Sequence, residues 1–596
     1  MVIQKLVECY QTLQTNQCTV APLGWNRQAI SYQLNIDYNG TILELSDVQE
    51  SYIDKNEKTQ KRPSYYLLPC HEQARSSNDK SYFLWDNGSY IFASKLRRPK
   101  RREHHIEVHR EILKNADFPE AVALLNFFEK YSDADLQTYL TETCGISLAA
   151  AENLNFMYSV NGKICGLQEE FKDLWNQTFQ TWLNKQPKGI DIVTNQEGAI
   201  CNTHMPIKPC ANLANGAALS FTNYGSVYYH TQKQGMVAPM SYETVKAYTQ
   251  AASYMAKTKE YHMDIGDLKI LFWTKQQKDT EMNFLQQVLT GFSQETLQDI
   301  MGTILQGKSV DQLPFDMSEP VYVLGISTDI SGKTISVAFF EQSAFGTIFQ
   351  NVKAHYERLQ IKGWVKDKDN KFVPDITTPK SIYSLQKSIE QNGKKFHRKF
   401  TQKLLNAILF GHPYPIELMT SCQKQAAREP IRQSQASILK AYYLHTLSPQ
   451  DKRKECCTME LNENSTNPGY LLGRLFACYE RIEDNVKHGN GKLHERYFSS
   501  AMTTPKQIFP LLSQLNPIYM KQLPENHRIF FDKQMGEIKA ALTEYPSHLS
   551  LTEQGLFDLG YYHQKQAFFT RKPKEFTRKP KENVTEGGTD NDSESL

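Results

Sequence analysis

The sequence predicts an α+β protein: a mixed α/β N-terminal half with β-hairpins, then an all-helical C-terminal half ending in a helical bundle and a disordered tail. Three observations carry that class. Alternating apolar runs flank turn signals in the first part of the chain, as where Tyr32, Leu34 and Ile36 lead into Asn39-Gly40. From about residue 380 onward the apolar period is helical. Finally, Phe569-Thr-Arg-Lys-Pro-Lys-Glu575 repeats unchanged as Phe576–Glu582 and runs into an acidic end containing Gly587 and Gly588. Two copies are too few for a solenoid, and the composition cannot bury a core, so 569–596 reads as disordered.

Taken in order, Ile3, Leu6, Val7, Tyr10 and Leu13 share one face of an opening amphipathic helix. The Asn39-Gly40 hairpin follows, returning through Ile42 to Leu45. Leu67-Leu68 and Tyr82–Trp85 read as strands, and Val108 to Tyr131 as helix. Tyr242 to Ala256 is helical, opened by Ser241 with Glu243 in its first turn. Leu268–Trp273 is a strand of the fully buried type. Val321–Ile326 and Thr334–Phe340 form a second hairpin around Ser331-Gly332, and a helix stacking Phe345, Ile348, Phe349, Val352 and Tyr356 comes next.

A self-contained helical module closes the chain. Asn464 to Asn467 are N-cap types, and Pro468 suits a first helical position. Leu471, Leu472, Leu475, Phe476, Tyr479 and Ile482 then recur at helical spacing, and further helices are divided at Pro505, Pro517, Pro524 and Pro546. The chain before it, Asp451–Thr458, is polar without an apolar stripe and reads as a linker.

A length of 596 residues suits three or four domains, and 40% apolar residues supply real cores. The net charge of +3 does not by itself announce nucleic acid, so local clusters must be weighed. Eleven scattered cysteines with no CxxC pair indicate a reducing cytoplasm. Cys201-Asn-Thr-His204…Cys210 lacks a fourth ligand for zinc and reads as ordinary cysteines. No secretory signal is present, and no run approaches a membrane span, so no membrane partner is expected.

No phosphate-cradling lysine loop, HExxH, GxSxG or dinucleotide fingerprint occurs. The best metal candidate is His104-His105-Ile-Glu-Val-His109, where His105 and His109 share a helix face. The alternative is a solvated basic helix start.

Six of the eight residues in Lys95-Leu-Arg97-Arg98-Pro-Lys100-Arg101-Arg102 are basic, and Pro99 forbids one continuous helix. Such a loop suits a phosphate clamp; the alternative is plain solvation. Just upstream, Arg75, Ser76, Ser77, Asn78, Lys80 and Asn87 set short polar groups and cations between aromatic residues, which suits base edges and phosphates but also ordinary turns. In the terminal module, Arg474, Arg481, Arg496, Lys506 and Lys565 sit among aromatics such as Tyr497 and Phe498, as in single-strand grooves. They have Glu480, Glu483 and Glu495 as alternative partners, and Arg474 lies within an apolar helix.

Asn467-Pro-Gly-Tyr-Leu-Leu-Gly-Arg-Leu-Phe-Ala477, Arg496-Tyr-Phe-Ser-Ser-Ala-Met-Thr-Thr-Pro505 and Gly560-Tyr-Tyr-His-Gln564 closely resemble the C-terminal part of the large subunit of type I-C CRISPR interference complexes (Cascade). Arg75-Ser76-Ser77 resembles the family's Arg-Thr-Ser loop, with serine in place of threonine, and Phe83-Leu-Trp-Asp-Asn87 its Phe-Leu-x-Asp-Asn strand. Asn215–Asn223, Gln234–Pro239, Ile265–Asp267, Gly346–Ile361, Ile408–Pro415 and Ala436–Ala441 resemble it in order.

The resemblance implies a non-catalytic subunit without metal or nucleotide cofactor. It would recognise the protospacer-adjacent motif (PAM) on duplex DNA, aid opening into an R-loop, hold the displaced strand and support a recruited helicase–nuclease, while guide RNA reads sequence. Its partners would be target DNA and the backbone subunits that carry the crRNA. A rival reading is a metal-dependent nuclease centred on His104, His105 and His109; a scaffold without DNA contact is a third.

The expected organisation is a PAM-recognition and duplex-binding domain at 1–150, a mixed middle domain at 151–375, a helical connector at 376–458, a small-subunit-like bundle at 459–568 and the tail at 569–596. The resemblance further implies that separate small subunits arise by internal translation. Lys454-Glu455 requires the purine-rich codons AARGAR three codons ahead of Met459, so a second product of about 138 residues is expected from Met459. Starting at Met502 would delete the module's first helix.

Overall fold

The computed structural model describes residues 2–53, 57–72, 81–95, 100–208, 234–265, 268–290, 315–328, 335–366, 372–376, 382–390 and 398–570. The chain divides into two compact units, Met1–Asn283 with Glu319–Gln342, and Phe284–Ser318 with Ser343–Leu596. The N-terminal half is mixed α/β and the C-terminal half helical, as the patterning requires.

In the first unit, the opening helix Val2–Thr15 buries Leu6, Cys9, Tyr10 and Leu13. The predicted hairpin pairs Tyr32–Ile36 with Ile42–Asp47. Its turn is fixed by Asp37, whose carboxylate accepts from the Asn39 and Thr41 amides at 2.9 and 2.7 Å. Gly40 has φ +75°, and a Cβ there would strike the Phe127 backbone, so only glycine serves. Tyr32–Ile36 also pairs in parallel with Asn155–Val160, which pairs antiparallel with Trp85–Asn87. Phe127, Phe128 and Tyr158 pack between this sheet and the helices Lys100–Leu113 and Pro119–Lys130.

Four further sheets belong to this unit's architecture, one of them the short pair Lys188–Ile190 with Glu197–Ala199. Trp25–Ile30 pairs with Ser64–Pro69. Glu50–Ile53 and Thr59–Arg62 form a ribbon exposed along both strands. A four-stranded sheet runs His262–Ile265, Leu268–Thr274, Pro320–Thr328, Ile335–Ala344 in that order, the first three antiparallel. All seven residues of Leu268–Thr274 are buried. Ser331-Gly332, assigned to the turn of the second hairpin, lie outside the described residues.

Two expectations needed revision here. Tyr82–Leu84 is not strand, and only Trp85–Asn87 is. The reason is local capture of amides: Tyr82 N donates to Asp86 Oδ2 at 3.0 Å and Leu84 N to His109 Nε2 at 2.9 Å. Val108 to Tyr131 is two helices, because Pro119 forces Phe118 into extended backbone (φ −77°, ψ 150°) and restarts the helix.

In the second unit, the helix Phe345–Leu359 buries its predicted stripe. A ribbon of Lys362–Lys366 with Phe372–Ile376 precedes helices Ile382–Ile389, Arg398–Phe410, Ile416–Ala426 and Gln433–Thr446. The terminal module follows as Pro468–Val486, Leu493–Thr503, Pro505–Met520, Glu525–Ala541 and Leu551–Thr570. Asn467 Oδ1 caps the first of these by accepting from Tyr470 N at 3.0 Å. The first and last cross closely: a Cβ at Gly473 would strike Phe557 O, and one at Gly560 would strike Tyr470 O. Glycines here replace a side-chain layer with direct helix contact.

Pro517 does not divide this module, since it and Pro510 both lie inside Pro505–Met520. Nor is Asp451–Thr458 a plain linker. Asp451 accepts from Arg453 N and opens a short 3₁₀ helix, Lys452–Cys456, that buries Cys456 and Cys457. Glu455 then accepts from Ser465 Oγ and Thr466 N at 3.0 and 3.1 Å. Polar composition hid two buried thiols and a carboxylate used as a cap.

Candidate nucleic-acid interface

The segment expected to read DNA contains Arg75, Ser76, Ser77, Asn78 and Lys80, all outside the described residues, but the residues on either side of it are described. On one side, Glu72 and Lys246 form an ion pair at 2.9 Å with both side chains about 5% exposed or less. Lys246 Nζ also donates to Trp25 O at 2.6 Å, and Glu72 accepts from Gly24 N at 2.9 Å. Burial raises the Glu72 carboxyl above its ordinary range despite Lys246. On the other side, the buried Ser81 hydroxyl bonds Asp86 Oδ2 at 3.2 Å and meets His105 Nδ1. Tyr82 stacks on Trp85 at 4.3 Å, and Trp85 Nε1 donates to Pro69 O at 2.8 Å.

Asn87 acts as a cap. Its side chain accepts from Ser89 N at 3.0 Å and opens the short helix Gly88–Ile91. That occupies the oxygen a base contact would use.

The basic run divides. Arg97 and Arg98 lie outside the described residues. Lys95 pairs with Glu152 at 2.6 Å, and Lys100 is exposed. Arg101 donates to Ser89 Oγ at 2.8 Å and lies over the Tyr90 ring. Arg102 does not belong to the expected clamp: it is 1% exposed, donates to Ile91 O at 2.6 Å and pairs with Asp133 at 2.9 Å. In the helix Lys100–Leu113 its side chain falls on the same inward stripe as His105 and His109.

Those histidines are core residues. His105 Nε2 meets Tyr158 OH at 2.9 Å, and its Nδ1 meets Ser81. His109 Nε2 accepts from Leu84 N at 2.9 Å while Nδ1 bonds His105 O at 2.7 Å. Burial, with Arg102 nearby, lowers His109 to about 4. His104 faces outward beside Glu107. Every ring nitrogen of the inward pair is thus taken by protein, and the three rings do not converge on one point that a metal would occupy. Cys201 is likewise buried, with Sγ donating to Thr203 O at 3.1 Å, and His204 Nδ1 bonds Tyr248 OH at 2.7 Å; Cys210 lies outside the described residues.

In the terminal module, Arg474 is 3% exposed and donates to Gln564 Oε1 and Glu463 O, each at 3.2 Å, so it cannot face a strand from there. Arg496 pairs with Glu483 at 2.6 Å and Lys565 with Glu480 at 3.0 Å. Burial opposes ionisation of Glu483, but Lys487, Arg496 and two amides hold its carboxyl below the ordinary range. Arg481 and Lys506 are exposed, with no ion pair among the described residues.

A family model described as CRISPR-associated protein (Cas_Csd1) matches residues 6–569. The chain belongs to that family. Its members are large subunits of the type I-C Cascade, and the match covers both units. No curated protein matches the chain. No described helix is long and apolar enough to cross a membrane.

The sequence missed Glu72 and Lys246. Each looks like a surface charge where it stands, and only the fold brings them together. The inward turn of Arg102 was legible in principle, from its three-residue spacing to His105 and seven-residue spacing to His109.

Proposed function

We propose that this chain is the DNA-engaging, non-catalytic subunit of its interference complex and works in the cytoplasm. It recognises the PAM through residues 75–80, aids unwinding and R-loop formation, holds the displaced strand and supports recruitment of a helicase–nuclease. Backbone subunits carrying the crRNA are its partners. The observation that most supports the reading is the anchoring around 73–80: an ion pair at Glu72 and a hydrogen-bonded hydroxyl at Ser81, both buried. A reading segment needs rigid ends, because misplaced donors lose their discrimination.

Within the clamp, Lys100 and Arg101, with Lys95, Arg97 and Arg98, serve phosphates, while Arg102 serves the core. For the displaced strand, Arg481 and Lys506 are the exposed cations with no ion pair among the described residues, and Arg496 and Lys565 would join only by sharing Glu483 and Glu480. The domain bounds given above, the free small subunits and the start at Met459 belong to the same proposal.

The test uses the complex assembled with its crRNA. Asn78→Ala should narrow the affinity gap between correct and altered PAM by about 1–3 kcal/mol. Equal loss on every duplex, with a lowered melting temperature, would overturn PAM reading by this segment.

A further inference from the structure

The first unit carries a positively charged recess that no motif announces. Trp25–Ile30, Ser64–Pro69 and the helix Tyr242–Lys257 border an open recess of about 480 Å³. Arg27, Lys208 and Lys257 line it, and no carboxylate does among the described residues. Loss of hydration against the wall, then the charges of Lys208 and Arg27, hold Lys257 below the ordinary lysine value. Three like charges placed together oppose folding unless something offsets them. The remaining lining is uncharged and mostly polar, including Asn26, Gln250 and Ser253, and Ser253 Oγ accepts from Lys208 N at 3.2 Å. Arg27 lies 6.0 Å from the centre of the exposed Tyr65 ring, a flat ledge at the rim.

The recess also has a telling neighbour. A smaller adjoining cavity shares Asn26, Pro206, Lys208 and Gln250 with it and contains Glu72 and Lys246. Glu72 is already paired with Lys246, so it does not neutralise the triad. The charged recess therefore stands beside the position from which residues 73–80 depart.

We propose that Arg27, Lys208 and Lys257 form a phosphate-binding site for the DNA strand that flanks the PAM, with the Tyr65 ring supporting the adjacent sugar or base. This rests on the DNA-engaging reading above. It adds a site that the basic run at 95–102 does not include. Duplex phosphates supply the negative charge the triad lacks, and nothing in the recess reads base identity, so its contribution is register and affinity.

Two experiments test it. In the first, benzoylphenylalanine replaces Tyr65 in the otherwise unaltered complex, which is irradiated with labelled target DNA. Crosslinking to DNA is expected. Crosslinking to the crRNA alone, or to neither, overturns the proposal. In the second, Arg27→Gln/Lys208→Gln/Lys257→Gln is assembled into the complex. The slope of log affinity against log salt should fall by roughly one for each phosphate no longer neutralised, equally on duplexes with correct and altered PAM. An unchanged slope overturns the site. If the complex carrying benzoylphenylalanine at 65 crosslinks to DNA yet binds duplexes with correct and altered PAM alike, the PAM reading fails while this site stands.

Discussion

Replacing Lys246 by methionine isolates the anchor at Glu72. Methionine fills similar volume, so the change removes charge more than packing. It leaves a carboxylate about 5% exposed with one backbone amide, Gly24 N, as its remaining hydrogen-bond donor among the described residues. Removing one partner of a buried pair costs about 3–5 kcal/mol. The penalty depends on pH in a defined direction. The Glu72 carboxyl is raised by burial even with Lys246 present, and losing Lys246 raises it further. A carboxyl with a raised folded-state value disfavours folding once ionised. Its penalty is absent below the free-acid value near 4.3 and grows as pH rises through the folded-state value. Lys246→Met should therefore melt well below wild type at pH 7.5 and approach it near pH 5. At roughly 2–4 °C per kcal/mol for a domain of 150–250 residues, the gap at pH 7.5 is on the order of 6–20 °C for the unit's transition. The double change Glu72→Gln/Lys246→Met should recover part of it, because no charge remains buried. Thermal melts by circular dichroism across pH supply the assay. PAM discrimination should weaken in Lys246→Met even at temperatures where the fold holds. A single variant that melts like the double at pH 7.5, with no pH trend, would refute the anchor argument.

Three shorter predictions follow. Lys100→Ala and Arg101→Ala should each reduce the salt slope of DNA binding by roughly one, whereas Arg102→Ala should lower stability and leave the slope alone. Because burial depresses His109 to about 4, its contribution is complete above the free value near 6.5 and is lost as pH falls from there towards 4, a change of roughly 3 kcal/mol; His109→Gln should flatten the acid side of the melting curve, and an unchanged acid limb would sink this. Asn87→Ala should lower stability by about 0.5–2 kcal/mol through loss of its cap, and a selective effect on PAM choice without destabilisation would restore it as a reader.

Periodicity shows where apolar faces lie, and that sufficed for Val2–Thr15, Tyr242–Lys257 and Phe345–Leu359. It failed where polar side chains compete for backbone, as at Tyr82–Leu84, where Asp86 and His109 take the amides a strand would use. Cations were the hardest to place. A basic residue has the same sequence signature whether it meets phosphate or a buried carbonyl, and Arg102 and Arg474 prove to be of the second kind. Clusters assembled from distant segments, such as Arg27 with Lys208 and Lys257, leave no local trace at all.

The module from Met459 offers the sharpest test of the whole proposal, because the fold sets two opposing requirements. Its core is its own: Pro468–Val486 and Leu551–Thr570 cross through Gly473 and Gly560, and Tyr470 OH bonds His563 at 2.8 Å. Its cover is not. In the full chain Lys362 N donates to Met459 O at 2.8 Å, Tyr562 OH to Lys362 O at 3.0 Å, and Gln423 Nε2 to Leu551 O at 2.6 Å. Tyr443 from Gln433–Thr446 lies against Gly555, and burial pushes the carboxyl of Asp558, in the same helix as Gly555, well above its ordinary range. A product starting at Met459 keeps the core and loses that cover. It should fold with helical circular dichroism, yet expose the 551–562 face and associate through it unless the complex covers it. Exposure should bring the Asp558 carboxyl back towards its ordinary range, so association that buries it again should strengthen as pH falls. Replacing the Met459 codon with a leucine codon should abolish the short C-terminally tagged band and leave the full-length one. A short band that persists, or is absent from the native host, would refute the internal start. A released module that is unfolded at every pH would refute its independence.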